Sequence, residues 1–166
     1  MQELVPAGLM QFVSESNRIE GIPEVSEETS MAHRLILDSR KAPTVESISE
    51  AVWHMARAPL RDKPGMNVRV GNHYPHQGGP DIPAMLENLL RTADGSAASD
   101  APHAIHVWYE TLHPFMDGNG RSGRLLWLWM HLRAGTYMRL GFLHQWYYES
   151  LAASSLTIMV GEGEGE

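Results

Sequence analysis

Six consecutive apolar residues, Leu125-Leu126-Trp127-Leu128-Trp129-Met130, follow directly on His113-Pro114-Phe115-Met116-Asp117-Gly118-Asn119-Gly120-Arg121-Ser122-Gly123-Arg124, a stretch rich in polar and glycine residues. That junction constrains the chain more than any other feature. A run that is apolar on every side must be buried on most of its circumference, so it reads as a core helix with other elements around it. The polar stretch reads as a loop feeding the N-terminus of that helix. Gly118-Asn119-Gly120 permits backbone geometry closed to other residues and leaves room for a bound group to approach the main chain. Amides at a helix start, backed by the macrodipole, form an anion site. Arg121 and Arg124, three apart, can face the same bound group. With His113 and Asp117 beside them, the chemistry implied is phosphate handling next to a general base.

Two other readings of this stretch fail. A calcium loop opening at Asp117 needs Gly at its sixth place and Glu at its twelfth, where this chain has Ser122 and Leu128. A P-loop needs Gly-Lys-Ser/Thr closing the turn, and neither the lysine nor the spacing is present. The bland alternative is an ordinary polar turn before a core helix, but six polar or glycine features in fixed order favour function.

The 166 residues fit one domain with a sizeable core, and 43% hydrophobic with 20% charged residues is ordinary for a soluble globular protein. The formal net charge of -7 argues against a nucleic-acid partner. Cysteine is absent, which removes disulfide frameworks and thiolate zinc sites. The start, Met1-Gln2-Glu3-Leu4, lacks a basic leader region, and no apolar run approaches the ~20 residues that span a bilayer. No membrane partner is expected, and the reading is cytoplasmic.

Along the chain, Leu9, Met10, Phe12 and Val13 predict a short amphipathic helix over residues 7–17, stopped by Gly21 and Pro23. Ser26 is placed to cap a helix reaching about Asp38, with Glu27 and Glu28 in its first turn, and Thr44 to cap one in which Ile48, Val52 and Met55 recur. His33 and His54 read as surface or core histidines. Residues 67–74 alternate between glycine- and proline-rich flanks, which predicts a short hairpin. His73 and His76 are spaced as a metal pair, but without carboxylate company they read as ordinary loop histidines. A helix is expected from Asp81 to about Arg91, a polar linker over residues 92–98, a helix capped by Asp100, and the core helix to about Leu132 with Ala134-Gly135 ending it. His103, His106 and His113 do not converge on a metal, because i, i+3 and i+10 spread around a helix. A last helix is expected near residues 142–152, carrying Trp146, Tyr147 and Tyr148, followed by a disordered acidic tail over residues 161–166.

From His113 to Arg124 the sequence resembles the signature of the Fic domain family, His-x-Phe-x-Asp/Glu-Gly-Asn-Gly-Arg-x-x-Arg, at every specified position. The resemblance implies a mainly α, compact single-domain fold with a short β-hairpin flap over the active site. It also implies transfer of AMP from ATP to a Ser, Thr or Tyr hydroxyl of a target protein, with ATP as substrate and Mg²⁺ as cofactor. In that scheme His113 is the general base and Asp117 holds Mg²⁺. Gly118, Asn119 and Gly120 present amides to the phosphates, with an Asn119 side-chain donor. Arg121 grips the β-phosphate region, Arg124 the γ-phosphate, and Phe115 anchors the loop in the core. His106 also matches a histidine common on this helix in the family and reads as structural.

Ser16, Glu20 and Gly21 resemble the family's inhibitory motif Ser-x-x-x-Glu-Gly/Asn. Glu20 would pair bidentately with Arg124 and so misplace the nucleotide. The chain then divides into an inhibitory helix over 1–22, a catalytic core over 23–160 with the flap near 61–80, and the tail. The target would dock on the flap by main-chain pairing, and a homo-oligomer is compatible with relief of Glu20. Three rivals differ in class. One is a phosphotransferase like the death-on-curing toxins, which have Lys where this chain has Gly120. Another is a hydrolase that removes AMP, using Glu20 to position water. The third is a non-enzymatic binding module.

Overall fold

The computed structural model describes residues 8–38, 41–98 and 100–136. They form α1 (Leu9–Ile19), α2 (Glu27–Leu37), α3 (Val45–Ala56), α4 (Asp81–Gly95), α5 (Ala101–Leu112) and α6 (Asn119–Ala134). The fold is mainly helical, as expected. The helix expected near residues 142–152 and the tail lie outside the described residues.

α6 is the axis of the core. Every residue from Arg121 to Met130 is buried, and α1, α2, α3 and α5 pack around it. Leu125, Leu126 and Leu128 are sealed against their neighbours, and each such side chain contributes about 1.5–3 kcal/mol by leaving water. α4 bridges α3 and α5 from outside, presenting Ile82, Leu86, Leu89 and Leu90 inward. Among the described residues no helix is long and apolar enough to cross a membrane.

The local signals mostly act as read. The Ser26 hydroxyl accepts from the Thr29 amide at 3.1 Å. Thr44 and Ser47 cap each other's amides, at 3.2 and 2.9 Å, in a capping box with Ser in place of the usual Glu or Gln. α1 ends in a Schellman turn: Ile22 N–H donates to Asn17 O and Gly21 N–H to Arg18 O, with Gly21 in the left-handed region at φ +71°. This turn makes Glu20 the last residue oriented by the helix.

Three expectations are corrected. α4 continues to Gly95, into the first four residues of the segment read as a linker, because Ala93 extends the apolar stripe while the Thr92 hydroxyl donates to Asn88 O at 2.8 Å on the outer face. Asp100 stands at the start of α5 in helical geometry, and its side chain makes no capping bond. Residues 67–74 form no strand; Val70 and His73 exchange main-chain hydrogen bonds of 3.0 and 2.9 Å around Gly71-Asn72, and the ladder stops there. The flanks are engaged elsewhere: Met66 O and His76 O accept from the Arg61 side chain, and the Asn67 side chain accepts from Gly78 N–H.

Truncating the axis tests this packing. Leu126→Ala is expected to lower the free energy of unfolding by about 2–5 kcal/mol. Met31→Ala, on the exposed flank of α2, should change it by less than about 0.5 kcal/mol. Urea denaturation of both variants measures the difference.

Candidate active site

α5 delivers His113 and α6 delivers the arginines, with residues 114–118 turning between them. His113 is the C-cap of α5, at φ 49° in the left-handed region, a conformation that costs a side-chain-bearing residue about 1–2 kcal/mol. Its imidazole is largely buried. Burial lowers its pKa below the ordinary 6.5; the Arg61 and His73 charges add to this, while the Glu110 carbonyl and Asp117 oppose it. The ring is therefore neutral at pH 7, with a nitrogen able to accept a proton. Glu110 Oε2 lies 4.0 Å from His113 Nδ1 and Glu110 Oε1 lies 3.9 Å from His106 Nε2, so one carboxylate stands behind both rings.

The loop is held by its own residues. Asn119 Oδ1 accepts from Phe115 N–H and Asn119 Nδ2 donates to Phe115 O, both at 2.9 Å, so this amide is bound to the loop backbone. Phe115 is fully buried, as the anchor reading requires. Asp117 is exposed, with Oδ1 accepting from Gly118 N–H at 2.6 Å. Ser122 links the turn to α5: its hydroxyl donates to Gly118 O at 2.9 Å and lies 2.7 Å from the Tyr109 hydroxyl, whose pKa burial pushes up.

The two arginines diverge. Arg121 turns toward α3 and donates from Nη1 to Met55 O at 2.7 Å, at the negative end of that helix. Its Nε–H, also buried, meets no acceptor among the described residues. Arg124 turns toward α1. It donates from Nε to Ser16 Oγ at 2.9 Å, and from Nη2 to Ser16 O at 2.9 Å and Glu20 Oε1 at 2.8 Å. Glu20 and Arg124 thus meet across the fold, but not bidentately: Ser16 takes the Nε edge of the fork, and Glu20 shares Nη2 with the Ser16 carbonyl. Arg124 is almost wholly buried, while the Glu20 side chain keeps 38% of its surface exposed. A Cβ on Gly120 would collide with Glu20 Oε1, so any larger residue at position 120 would displace the carboxylate from this position.

Other histidines are held by contacts away from the signature turn or by burial. His106 is buried, and burial lowers its pKa to about 3. His33 is buried on α2 with Nδ1 2.8 Å from Thr29 O, and burial lowers its pKa to about 4. His73 Nε2 lies 2.9 Å from Thr111 O and His76 Nε2 lies 3.8 Å from Asp81 Oδ2, so the two point to different neighbours. No group of three or more metal-ligating side chains forms among the described residues. Sequence reasoning missed Arg61, which is fully buried and bound to four carbonyl groups. The available signal was an arginine following Ala58-Pro59-Leu60.

A model of the Fic/DOC family matches residues 26–131. The chain belongs to the Fic/DOC family. Two proteins named protein adenylyltransferase Fic, from Drosophila persimilis and Drosophila pseudoobscura pseudoobscura, are each 38% identical to it over 74 residues. That stretch is 41% of this Fic chain and only 14% of each relative. The family match takes in α2 to α6 and the whole signature loop; α1, with Ser16 and Glu20, lies before it.

The buried histidines of this Fic chain set a pH dependence of stability. His33 and His106 have folded pKa values near 4 and 3, against 6.5 when exposed. The unfolded chain therefore binds more protons between those values, and stability falls as pH drops below about 6.5. Each histidine contributes a slope of up to about 1.4 kcal/mol per pH unit. Urea midpoints from pH 7 to pH 4.5 are expected to show the fall, and His106→Gln should flatten it.

Proposed function

We propose that this chain is a protein adenylyltransferase that moves AMP from ATP to a Ser, Thr or Tyr hydroxyl of a target protein and is held back by Glu20. The observation that carries the reading is the three-bond grip of Ser16 and Glu20 on Arg124, the last residue of a complete signature that opens on a neutral His113. Residues 1–22 act as the inhibitory segment and 23–160 as the catalytic core. The family match and the name of the partly aligned relatives support the reaction class.

His113 takes the proton from the target hydroxyl as its oxygen bonds to the α-phosphorus. The bond from that phosphorus to the bridging oxygen breaks, and pyrophosphate leaves. A lowered imidazole pKa suits this role, since the ring is already deprotonated at neutral pH. Asn119 and Gly120 offer main-chain amides at the first turn of α6 to the phosphates, while the Gly118 amide, expected to join them, is held by Asp117 Oδ1. The Asn119 side chain contributes by fixing the loop. Arg121, facing Met55, supplies positive charge behind the turn at the β-phosphate region. Arg124 is the γ-phosphate partner once Glu20 leaves it.

Asp117 fits a hard cation: one carboxylate oxygen is steadied by Gly118 and the group is exposed. A single carboxylate completed by substrate phosphates is a set that suits Mg²⁺. When bound there, the ion offsets negative charge on the α- and β-phosphates and on the pyrophosphate. The segment near 61–80 is the docking flap. Tyr74, Val70 and Met116, all exposed on this segment and the catalytic loop, give a target apolar surface to cover.

Inhibition has a scale. A charge-assisted hydrogen bond to a buried guanidinium is worth about 1.5–3 kcal/mol, or roughly 10–100-fold. The contact also weighs against the phosphotransferase, since a Lys side chain at position 120 would fill the place of Glu20 Oε1.

The test compares the chain as given, Glu20→Gly, and Glu20→Gly with His113→Ala, each with Mg²⁺, α-labelled ATP and a cell extract. Labelling of protein should rise about 10–100-fold in the single variant and vanish in the double one. Equal labelling in the first two refutes inhibition by Glu20, and persistent labelling in the double variant refutes His113 as base. Release of AMP from a modified substrate by the unaltered chain would assign the hydrolase instead. In the single variant the rate should also fall on acidification, with its midpoint below pH 6.5; a midpoint above that contradicts the lowered imidazole.

A further inference from the structure

The reaction scheme leaves Arg61 unused, yet its side chain is as deeply buried as any in the fold. Its hydrogen bonds all run to main-chain carbonyls. Nε donates to His113 O at 2.7 Å and Nη2 to Leu112 O at 2.9 Å. Nη1 donates to His76 O at 2.8 Å and to Met66 O at 3.2 Å. Its main chain continues the pattern, with Arg61 N–H donating to Pro114 O and Gly79 N–H donating to Arg61 O, each at 2.9 Å.

These partners fall into two sets. Leu112 and His113 end α5, where orphan carbonyls and the negative helix end meet the guanidinium charge. Met66 and His76 are the two feet of the segment carrying the Val70–His73 turn. No carboxylate among the described residues pairs with Arg61, so carbonyl dipoles alone compensate a buried charge. Both carbonyls of His113-Pro114 accept from this one residue, and Pro114 brings no N–H of its own. Arg61 therefore fixes the peptide planes on which the left-handed geometry of His113, and the direction of its imidazole, depend.

We propose that Arg61 is a positioning residue for the transfer reaction, one guanidinium joining His113 to both feet of the docking segment so that base and target hydroxyl are set relative to each other. This rests on the reading of His113 as base and residues 66–76 as docking segment. Five of the contacts that hold the nucleotide-facing turn, those of Asn119, Ser122 and Arg121, do not involve Arg61. Its loss should therefore spare nucleotide binding and strike the chemical step. A Lys at this position keeps the charge but cannot span four carbonyls from one nitrogen.

Arg61→Lys and Arg61→Met, made in the Glu20→Gly protein, test this with three readouts: Mg-ATP affinity by calorimetry, kcat and KM for labelling, and the His113 imidazole titration by NMR. The proposal expects kcat to fall on the order of 100-fold in both variants, with ATP affinity within about twofold of the parent. It also expects the His113 midpoint to move up in Arg61→Met, where the neighbouring charge is gone. A kcat for Arg61→Lys within about threefold of the parent overturns it. So does an equal loss of kcat and ATP affinity with a lowered melting temperature, which would make Arg61 a general fold element.

Should the Glu20→Gly parent label nothing, the transferase reading fails, and the His113 titration decides alone: an upward shift in Arg61→Met supports the tie and an unmoved midpoint overturns it. Should neither variant fold, hydrogen exchange at Arg61 Nε–H in the unaltered chain decides. Exchange at least 100-fold slower than at the exposed Arg34 supports the bond to His113, and equal exchange overturns it.

Discussion

A helix buried on all sides cannot carry charge along its length unless every charged group finds a partner within the fold. α6 carries two guanidinium groups in its first six residues, ahead of an apolar run that leaves it nowhere to go but the centre. Much of the surrounding architecture answers that demand. Arg121 finds the carbonyl end of α3, and Arg124 finds a hydroxyl, a carbonyl and a carboxylate on α1. The same burial that threatens these charges strengthens their interactions, because the local dielectric is low. An arginine so placed is a strong receptor for any anion that can reach it. The carboxylate of Glu20 and the terminal phosphate of a nucleotide are two such anions, which is why inhibition and substrate recognition converge on Arg124 in the reading given above.

The loop between α5 and α6 shows a second use of the same economy of means. Its shape comes in part from a single antiparallel bridge of Phe115 to Leu60, in which Arg61 N–H donates to Pro114 O at 2.9 Å and Met116 N–H to Pro59 O at 3.1 Å. The rest comes from side chains that bind main chain: Asn119 on Phe115, Ser122 on Gly118, and Arg61 on Leu112 and His113. Each of these polar groups is buried and satisfied, so the loop is rigid where a turn of its composition would otherwise be mobile. Rigid placement of a neutral imidazole is what proton abstraction needs.

What could be read from the sequence was local. Ser26, Thr44 and the Gly21 stop act through neighbours three or four residues away, and the buried run of α6 is unmistakable in composition alone. The signature loop was legible because its residues are contiguous. Contacts between distant segments were not, apart from the Glu20–Arg124 pair that the family resemblance implied. That Ser16 shares the Arg124 fork, leaving Glu20 one nitrogen, depends on the docking of α1 against a helix more than a hundred residues later. Arg121 was read as facing the phosphates, but the carbonyl of Met55 could not be seen from spacing within α6. The alternation over residues 67–74 promised a hairpin, and lost it because the flanking carbonyls are bound by an arginine outside the pattern. The extension of α4 through Thr92 and Asp94 shows the opposite error, polar residues on an outer helical face read as a linker.

The Schellman turn at the end of α1 has a further consequence. Glu20 is the last residue that α1 orients, so its carboxylate has no fixed position of its own; it inherits that of the helix. α1 in turn is seated by Leu9, Phe12 and Val13, with Phe12 stacked on Trp127 of α6 at a ring distance of 6.3 Å and packed edge-on to His33 of α2. An ion pair with one half-exposed partner exchanges quickly when its side chains are free to move. Full release of Arg124 asks for more, because Ser16 within α1 holds it through its hydroxyl and its carbonyl: the eleven-residue amphipathic helix must lift from its apolar seat, a sub-global opening rather than a side-chain rotation. The persistence of the closed state is therefore set in large part by hydrophobic contact along the buried face of α1 that also carries Ser16, with the Glu20 carboxylate adding its bond at the end of that helix.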